Sequence, residues 1–359
     1  MTQREQEILQ LFGKDPMISQ QEIADALGIT RSSVAVHISN LIRKGYIAGK
    51  GYVLRSENYA VVVGGVNVDI GGRSHAPLVA ADSNPGTVTV SLGGVGRNIA
   101  HDMRLLGMDV RFLTAFGNDM NGQRIAASCT ELGIDIRSAL RPDDATTSTY
   151  LYLTDEKGEM ALAVSDMAIC DRITPEYLAA NLSLLQGARV VVADANIPAE
   201  SLAYLADHCT APLFIDPVST AKSEKLRPIL SGIHTLKPNA LEAAILSGID
   251  PKDPQAVEKA ADILLEKGVQ RLFISMGAGG VYVAEGPTRL HLPNLPGHMV
   301  NTTGCGDAFT AALAWAYTEE LELKETALAG LAAGALTMET HETINPALSR
   351  EAIRSRANI

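Results

Sequence analysis

The run Asn301-Thr302-Thr303-Gly304-Cys305-Gly306-Asp307-Ala308-Phe309 sets a carboxylate behind two glycines that flank Cys305, just as an apolar helical stretch begins. Backbone N–H groups at a helix start are unpaired and point outward, so such a turn binds anions. A carboxylate beside an anion site repels the anion, which is a poor arrangement for structure alone. It becomes useful if Asp307 takes a proton from a hydroxyl that attacks a phosphorus atom. A plain N-cap is the structural alternative for Asp307, and the motif by itself supports both.

Three further clusters can serve the same chemistry. Ser91-Leu92-Gly93-Gly94-Val95-Gly96-Arg97-Asn98 is a glycine-rich strand-to-helix turn. Gly93 and Gly94 let a ligand approach the backbone, and Asn98, one turn on, can hydrogen-bond hydroxyls. The turn lacks both the Walker Lys-Ser/Thr and the full Gly-x-Gly-x-x-Gly of a dinucleotide fold. Lys237-Pro238-Asn239-Ala240-Leu241-Glu242 puts Asn239 and Glu242 three apart on one helical face. Ser275-Met276-Gly277-Ala278-Gly279-Gly280 joins two strand-like runs and can hold nucleotide phosphates with backbone amides.

These clusters need a frame. Short apolar runs recur at residues 60–63, 190–193, 213–215, 235–236, 272–275 and 280–284, as expected of strands buried on both faces. Helical patterns at 94–106, 122–132 and 254–267 lie between them. Strand and helix in alternation predict an α/β fold with a mostly parallel sheet covered on both sides. Residues 73–92 and 146–164 alternate polar and apolar without helices between, and predict strands standing off the main sheet as a lid.

At 359 residues the chain exceeds what one core usually organises. No long apolar run predicts a membrane span, and no leader pattern opens the chain. Four scattered cysteines (129, 170, 209 and 305) show no zinc or disulfide spacing, so the expectation is a reduced, cytoplasmic protein. Residues 1–56 carry seven Lys/Arg against five Asp/Glu, a net of +2. The remainder of the chain is at −13, so the two parts suit different partners.

The head reads as three helices and a hairpin. Ile8, Leu9, Leu11 and Phe12 form one apolar face, and Ser19 with Glu22 forms a capping box. Gly28 stops the second helix. Thr30 caps a third, with Val34, Ile38, Leu41 and Ile42 expected inward. Residues 46–54 alternate around a Gly-Lys-Gly tip, as a wing would. The string QQEIADALGITRSSVAVHISNLIRKGYI resembles a winged helix-turn-helix. That resemblance implies a DNA-operator partner, met by Arg31, Ser32, Ser33 and His37 on the third helix. A small bundle used for docking or dimerisation is the alternative.

The four clusters, in this order, resemble the ribokinase-like family of sugar and nucleoside kinases over residues 60–359, with residues 64–69 matching its opening G-x-x-N-x-D. Within that family the stretches ADSNPG, GGVGRNIA, IDPVS, HTLKPNALEA and SMGAGGVY are most similar to the bacterial pseudouridine kinases. The resemblance implies domains at 1–56 and 59–359, ATP with Mg²⁺, and a nucleoside or sugar acceptor. A head of net charge +2 neutralises few phosphates, so operator binding calls for a homodimer that pairs two heads. It makes Asp307 the general base and Gly304, Cys305 and Gly306 the anion hole. Asn67, Asp69, Gly93, Gly94 and Asn98 would bind the sugar, and Asn84 would read the base. Lys237, Asn239, Ser275, Gly277 and Gly280 would meet ATP, with Glu242 holding Mg²⁺ through water. Asp69 also reads as a strand-end turn former. The signature's first Asp is Asn301 here, so a K⁺ ion beside Asn301 and Thr303 is in question.

Overall fold

The apolar runs become strands because each finds cover on both faces. In the strand Tyr59–Val63, Ala60 and Val62 pack into a core with Ile99, Met103 and Trp315. Val61 and Val63 face the opposite core, with Leu202, Leu205 and Ile229. The computed structural model describes residues 2–15, 18–47 and 58–359. Contacts divide the chain into two units, Met1–Asn58 and Tyr59–Ile359.

The strands of the larger unit are β1 (Tyr59–Val63), β2 (Asn67–Ser74), β3 (Gly86–Gly93), β4 (Asp109–Leu113), β5 (Thr149–Thr154) and β6 (Met160–Asp166). They continue as β7 (Val190–Asp194), β8 (Leu213–Asp216), β9 (Thr235–Leu236), β10 (Arg271–Ser275), β11 (Val281–Glu285) and β12 (Thr288–Leu292). Eight form one sheet in the order β12-β11-β10-β9-β8-β7-β1-β4. The stretch from β4 to β10 is parallel, whereas β11 and β12 are antiparallel. The sheet is therefore mixed. Residues 280–284 could not continue the parallel run, because the short turn after Ser275 has no room for a crossover.

Strand β4 escaped the sequence reading because Asp109 and Arg111 interrupt its apolar residues. It lies at the sheet edge, where the Arg111 guanidinium sits 3.6 Å from the centre of the Tyr59 ring and shields it.

The remaining strands make a second sheet, β3-β2-β5-β6. Its register puts Ile70 opposite Val90 and Leu151, and Leu151 opposite Val164, all on one face. Ile70 packs against the main core, but beyond it that face is bare: Val88, Val90, Leu151, Leu153, Leu162 and Val164 are all exposed. Asp69 lies on the other face, opposite Ser91 and Tyr150.

In the smaller unit, helices span Gln3–Lys14, Gln20–Leu27 and Arg31–Arg43. Ser19 and Glu22 form a reciprocal capping box, Gly28 ends its helix at φ +65°, and the Thr30 hydroxyl caps Ser33 N–H. Ile8, Phe12, Ile23, Val34, Ile38, Leu41 and Ile47 form the core. Ile42 does not join it. At 49% exposure it is carried off the Val34–Ile38–Leu41 stripe by the helical period. The tip of the expected wing lies outside the described residues.

Leu41 is fully buried in this small core. Leu41→Ala should destabilise the head by about 2–5 kcal/mol, the usual cost of a buried Leu-to-Ala cavity. Calorimetry should show the head's transition moving down while that of residues 59–359 stays in place.

Candidate active site

Parallel strands deliver their following loops to one edge, and ligands of such sheets lie beyond the strands' C-terminal ends. Here Gly64 and Gly65 follow β1, Asp194 ends β7, Asp216 ends β8, Lys237 follows β9 and Ser275 ends β10. The helix Cys305–Thr318 begins at this edge.

The helix starts two residues earlier than its apolar pattern suggests. Gly304 is the cap at φ +84°, where an added Cβ would collide with the Thr343 carbonyl, so glycine is required. Asp307 is thus inside the first turn and caps nothing, which excludes the plain capping role. Its Oδ2 instead accepts a hydrogen bond from Asn98 Nδ2 at 2.8 Å. Burial is the main force pushing the Asp307 carboxyl up to about 7, and the Asp216 charge adds to it. The Asn98 bond and Lys237 pull the other way, while Asp194 adds a smaller push. A carboxylate tuned to neutral pH is suited to accept a proton.

Lys237 is the cation of this cluster. Its Nζ lies 3.0 Å from Asp216 Oδ2, with the side chain almost wholly enclosed. Burial opposes its charge, but Asp216, Asp307 and Glu242 outweigh that and raise its pKa. A Cβ on Gly306 would stand 3.0 Å from Lys237 Nζ, so the ammonium hangs directly over the turn that carries Cys305 and Gly306. The ammonium and the unpaired N–H groups of the helix start turn positive charge toward one place, an arrangement that favours an anion there. The Cys305 thiol is pushed up to about 11, chiefly by burial, and is not a thiolate there.

Beside Asp307 lie the groups expected to meet a sugar. Asn67 Nδ2 donates to Asp69 Oδ1 at 2.5 Å. Burial raises the Asp69 pKa, against the Asn67 bond and the Arg97 charge. The Asp69 carboxylate occupies the space a Cβ at Gly93 would need, and Gly94, at φ +97°, lies against the backbone of Gly65 and Val66. Asn67, Asp69, Gly93, Gly94 and Asn98 therefore share one neighbourhood, and Asn98 joins it to Asp307.

On the other flank, Asn239 caps the helix Ala240–Ser247 and Glu242 returns the bond, each at 2.9 Å. Glu242 keeps Oε1 outside that box, and its pKa is raised first by burial and then, against the Asn239 bonds, by Asp216. Asn239 pairs with Ser275 through a β-bridge. Gly277 opens to solvent with nothing near its would-be Cβ, whereas Gly280, at φ +86°, is buried against the Leu292 carbonyl. Gly280 shapes this turn from within.

Some expected residues have other employment. The Asn84 amide, on the exposed 75–85 loop, bonds Val79 N–H, Val79 O and Asp82 O. Asn301 accepts from Thr303 N–H at 3.0 Å and donates to His341 O at 3.2 Å. In the head, Arg31, Ser32 and Ser33 are exposed and His37 is partly buried.

Sequence reasoning passed over Asp194 and Asp216. Asp194 is fully buried and accepts N–H bonds from Gly65 (2.9 Å) and Asn196 (2.8 Å), and burial pushes it up to about 6. Both acids end otherwise apolar strands, Val-Val-Val-Ala-Asp and Leu-Phe-Ile-Asp. An acid closing a buried strand was the available signal.

Residues 57–350 match the profile of the pfkB family carbohydrate kinases. The chain belongs to that family. Residues 1–48 match the winged helix-turn-helix DNA-binding profile. The uncharacterised sugar kinase YeiI of Escherichia coli K12 is 38% identical over 355 residues, 98% of each chain. The pseudouridine kinase of the same organism is 40% identical over 299 residues, 82% of this chain and 95% of that one. The ribokinase of Thermotoga maritima shares the fold, with a TM-score of 0.75 and 24% identity over 84% of this chain and 99% of its own.

For this pfkB kinase, Gly306→Ala would press a methyl against the Lys237 ammonium. The expected result is a loss of at least about tenfold in turnover, as for other displacements of an active-site charge, with an unchanged melting temperature. Turnover at the unmodified level would show that the ammonium has room to move.

Proposed function

We propose that this chain transfers the γ-phosphoryl group of ATP to the 5′-hydroxyl of a ribonucleoside, with pseudouridine the favoured acceptor. The observation that carries the reading is Asp307, tuned to about 7 and held by Asn98 beside an anion site capped by Lys237. Asp307 takes the hydroxyl proton as the oxygen attacks the γ-phosphorus. The new O–P bond forms, the bond to the β-phosphate oxygen breaks, and ADP leaves. Backbone N–H groups at Gly304, Cys305 and Gly306, with Lys237, meet the charge on the transferring group, the positioning and electrostatic work that phosphoryl transfer demands. Asn67 and Asp69 bind the ribose hydroxyls, with Gly93 and Gly94 giving the sugar access to the backbone. Ser275 and Gly277 line the nucleotide side.

A Mg²⁺ ion fits this scheme. An ion carried mainly by phosphates and water needs only one or two carboxylates from the protein. Glu242, with its free Oε1 and raised pKa, is the residue to hold such waters, with Asn239 beside it. The ion would supply charge neutralisation at the β- and γ-phosphates. K⁺ at Asn301 and Thr303 is left out of the proposal, because the Asn301 oxygen already accepts Thr303 N–H and its NH₂ faces another carbonyl.

The likeness to a pseudouridine kinase across 95% of that enzyme's length supports the acceptor. Base recognition by Asn84 requires its bonds to Val79 and Asp82 to open. Another ribonucleoside or a free sugar is the runner-up. In kinetic comparison, pseudouridine should exceed uridine, inosine and ribose in kcat/KM. Ribose at or above pseudouridine would overturn the nucleoside assignment. Asp307→Asn should cut turnover by about two to four orders of magnitude, the range for a general base, and leave nucleotide binding nearly intact.

A second role rests on the winged helix-turn-helix match. The head's small positive charge neutralises few phosphates, so useful affinity needs two heads on one palindrome. The bare apolar face of the second sheet suits pairing of two kinase bodies. Arg31→Ala should weaken recovery of specific genomic fragments and leave phosphorylation rates untouched. Equal, sequence-independent recovery by both proteins would reduce the head to a docking module.

A further inference from the structure

Asp216 is 5% exposed, and its two oxygens are fully engaged. Oδ1 accepts Val218 N–H at 2.9 Å. Oδ2 accepts Lys237 Nζ and Thr310 Oγ1, each at 3.0 Å. The three donors come from three places in the chain: the loop after β8, the connection after β9, and the second turn of the Asp307 helix. The Thr310 hydroxyl, with one proton to share, also lies 3.1 Å from the Gly306 carbonyl, so it touches both Asp216 and the turn at Gly306. The loop bends unusually to reach the carboxylate. Val218 sits at φ +67°, where a β-branched residue is a genuine outlier. Such conformations cluster where a site demands them.

We propose that Asp216 is a positioning residue for phosphoryl transfer, holding Lys237 over Gly306 and fixing the start of the Asp307 helix to the end of β8. This rests on Asp307 being the base. Asp216 acts on that base through space as well. The groups facing Asp307 are Asn98 and Asp102 from the Val95–Leu105 helix, Asp194 from β7, Asp216 from β8, Lys237 after β9, and Cys305 on its own helix. Among the neighbouring charges, Asp216 has the largest effect on it. A negative neighbour favours the protonated form, so removing it must lower the pH at which Asp307 gives up its proton.

Asp216→Asn tests both parts. The variant keeps an oxygen for Val218 or Thr310 but loses the charge that anchors Lys237. Turnover should fall by about 10- to 100-fold, as for misplacement of a catalytic group, with the KM for ATP within about threefold of the unmodified enzyme. The acid limb of the kcat/KM profile should move to lower pH. A merely structural Asp216 would change the melting temperature and leave the limb where it was, and that result overturns the proposal. If Asp216→Asn does not fold, Thr310→Val carries the test. It should lower kcat about fivefold with both KM values unchanged, and Thr310→Ser should restore it; a Thr310→Val enzyme at full rate overturns the proposal. Asp307→Asn, assayed alongside, separates the two readings. If it is inactive while the Asp216→Asn limb is unmoved, only the positioning role fails. If it is fully active, the base itself is wrongly assigned.

Discussion

Several carboxylates crowd around one ammonium at the sheet edge, and the way each is neutralised decides what the site can do. Asp194 accepts two backbone N–H bonds. Asp216 has Lys237, Thr310 and Val218, and Glu242 is tied into a capping box. Asp307 has a single hydrogen bond from Asn98 and lies in the field of the others. In a confined, poorly hydrated space the least compensated carboxylate binds protons most readily. Asp102 has no hydrogen-bond partner among the described residues, but it is fully buried and out of a ligand's reach. Asp307 is the partly accessible one.

The fold exists, in this respect, to bring those side chains to one edge without letting them meet water freely. Parallel strands end together, so acids and a lysine at strand ends gather there. The helix start at Gly304 adds N–H groups that no side chain could supply. The second sheet brings Asp69 beside Gly93, and the helix after it carries Asn98 to Asp307. Residues more than two hundred apart in sequence thus meet at one oxygen.

Much of this was legible in the chain. Glycine-flanked turns at helix starts announce themselves, because few other roles need that spacing, and the apolar runs mark central strands well. Three kinds of feature were harder. Strand β4 is half polar because it lies at an edge. Ile42 fits an inward stripe by composition and misses it by angle. Asp194 and Asp216 looked like ordinary strand ends, and their importance depends on neighbours that only the fold supplies. Asn84 teaches the same lesson in reverse, since an amide that looks free in sequence is occupied by its own loop. Asn301 likewise exchanges a carboxylate's charge for an NH₂ that bonds a carbonyl.

Asp307 holds its proton near neutrality because of where it sits. Isotope-edited infrared titration, as a difference between the unmodified protein and Asp307→Asn, reads that carboxyl directly. A band converting from acid to carboxylate near pH 7 is the predicted result. Conversion near pH 4, the range of an ordinary aspartate, would contradict the account.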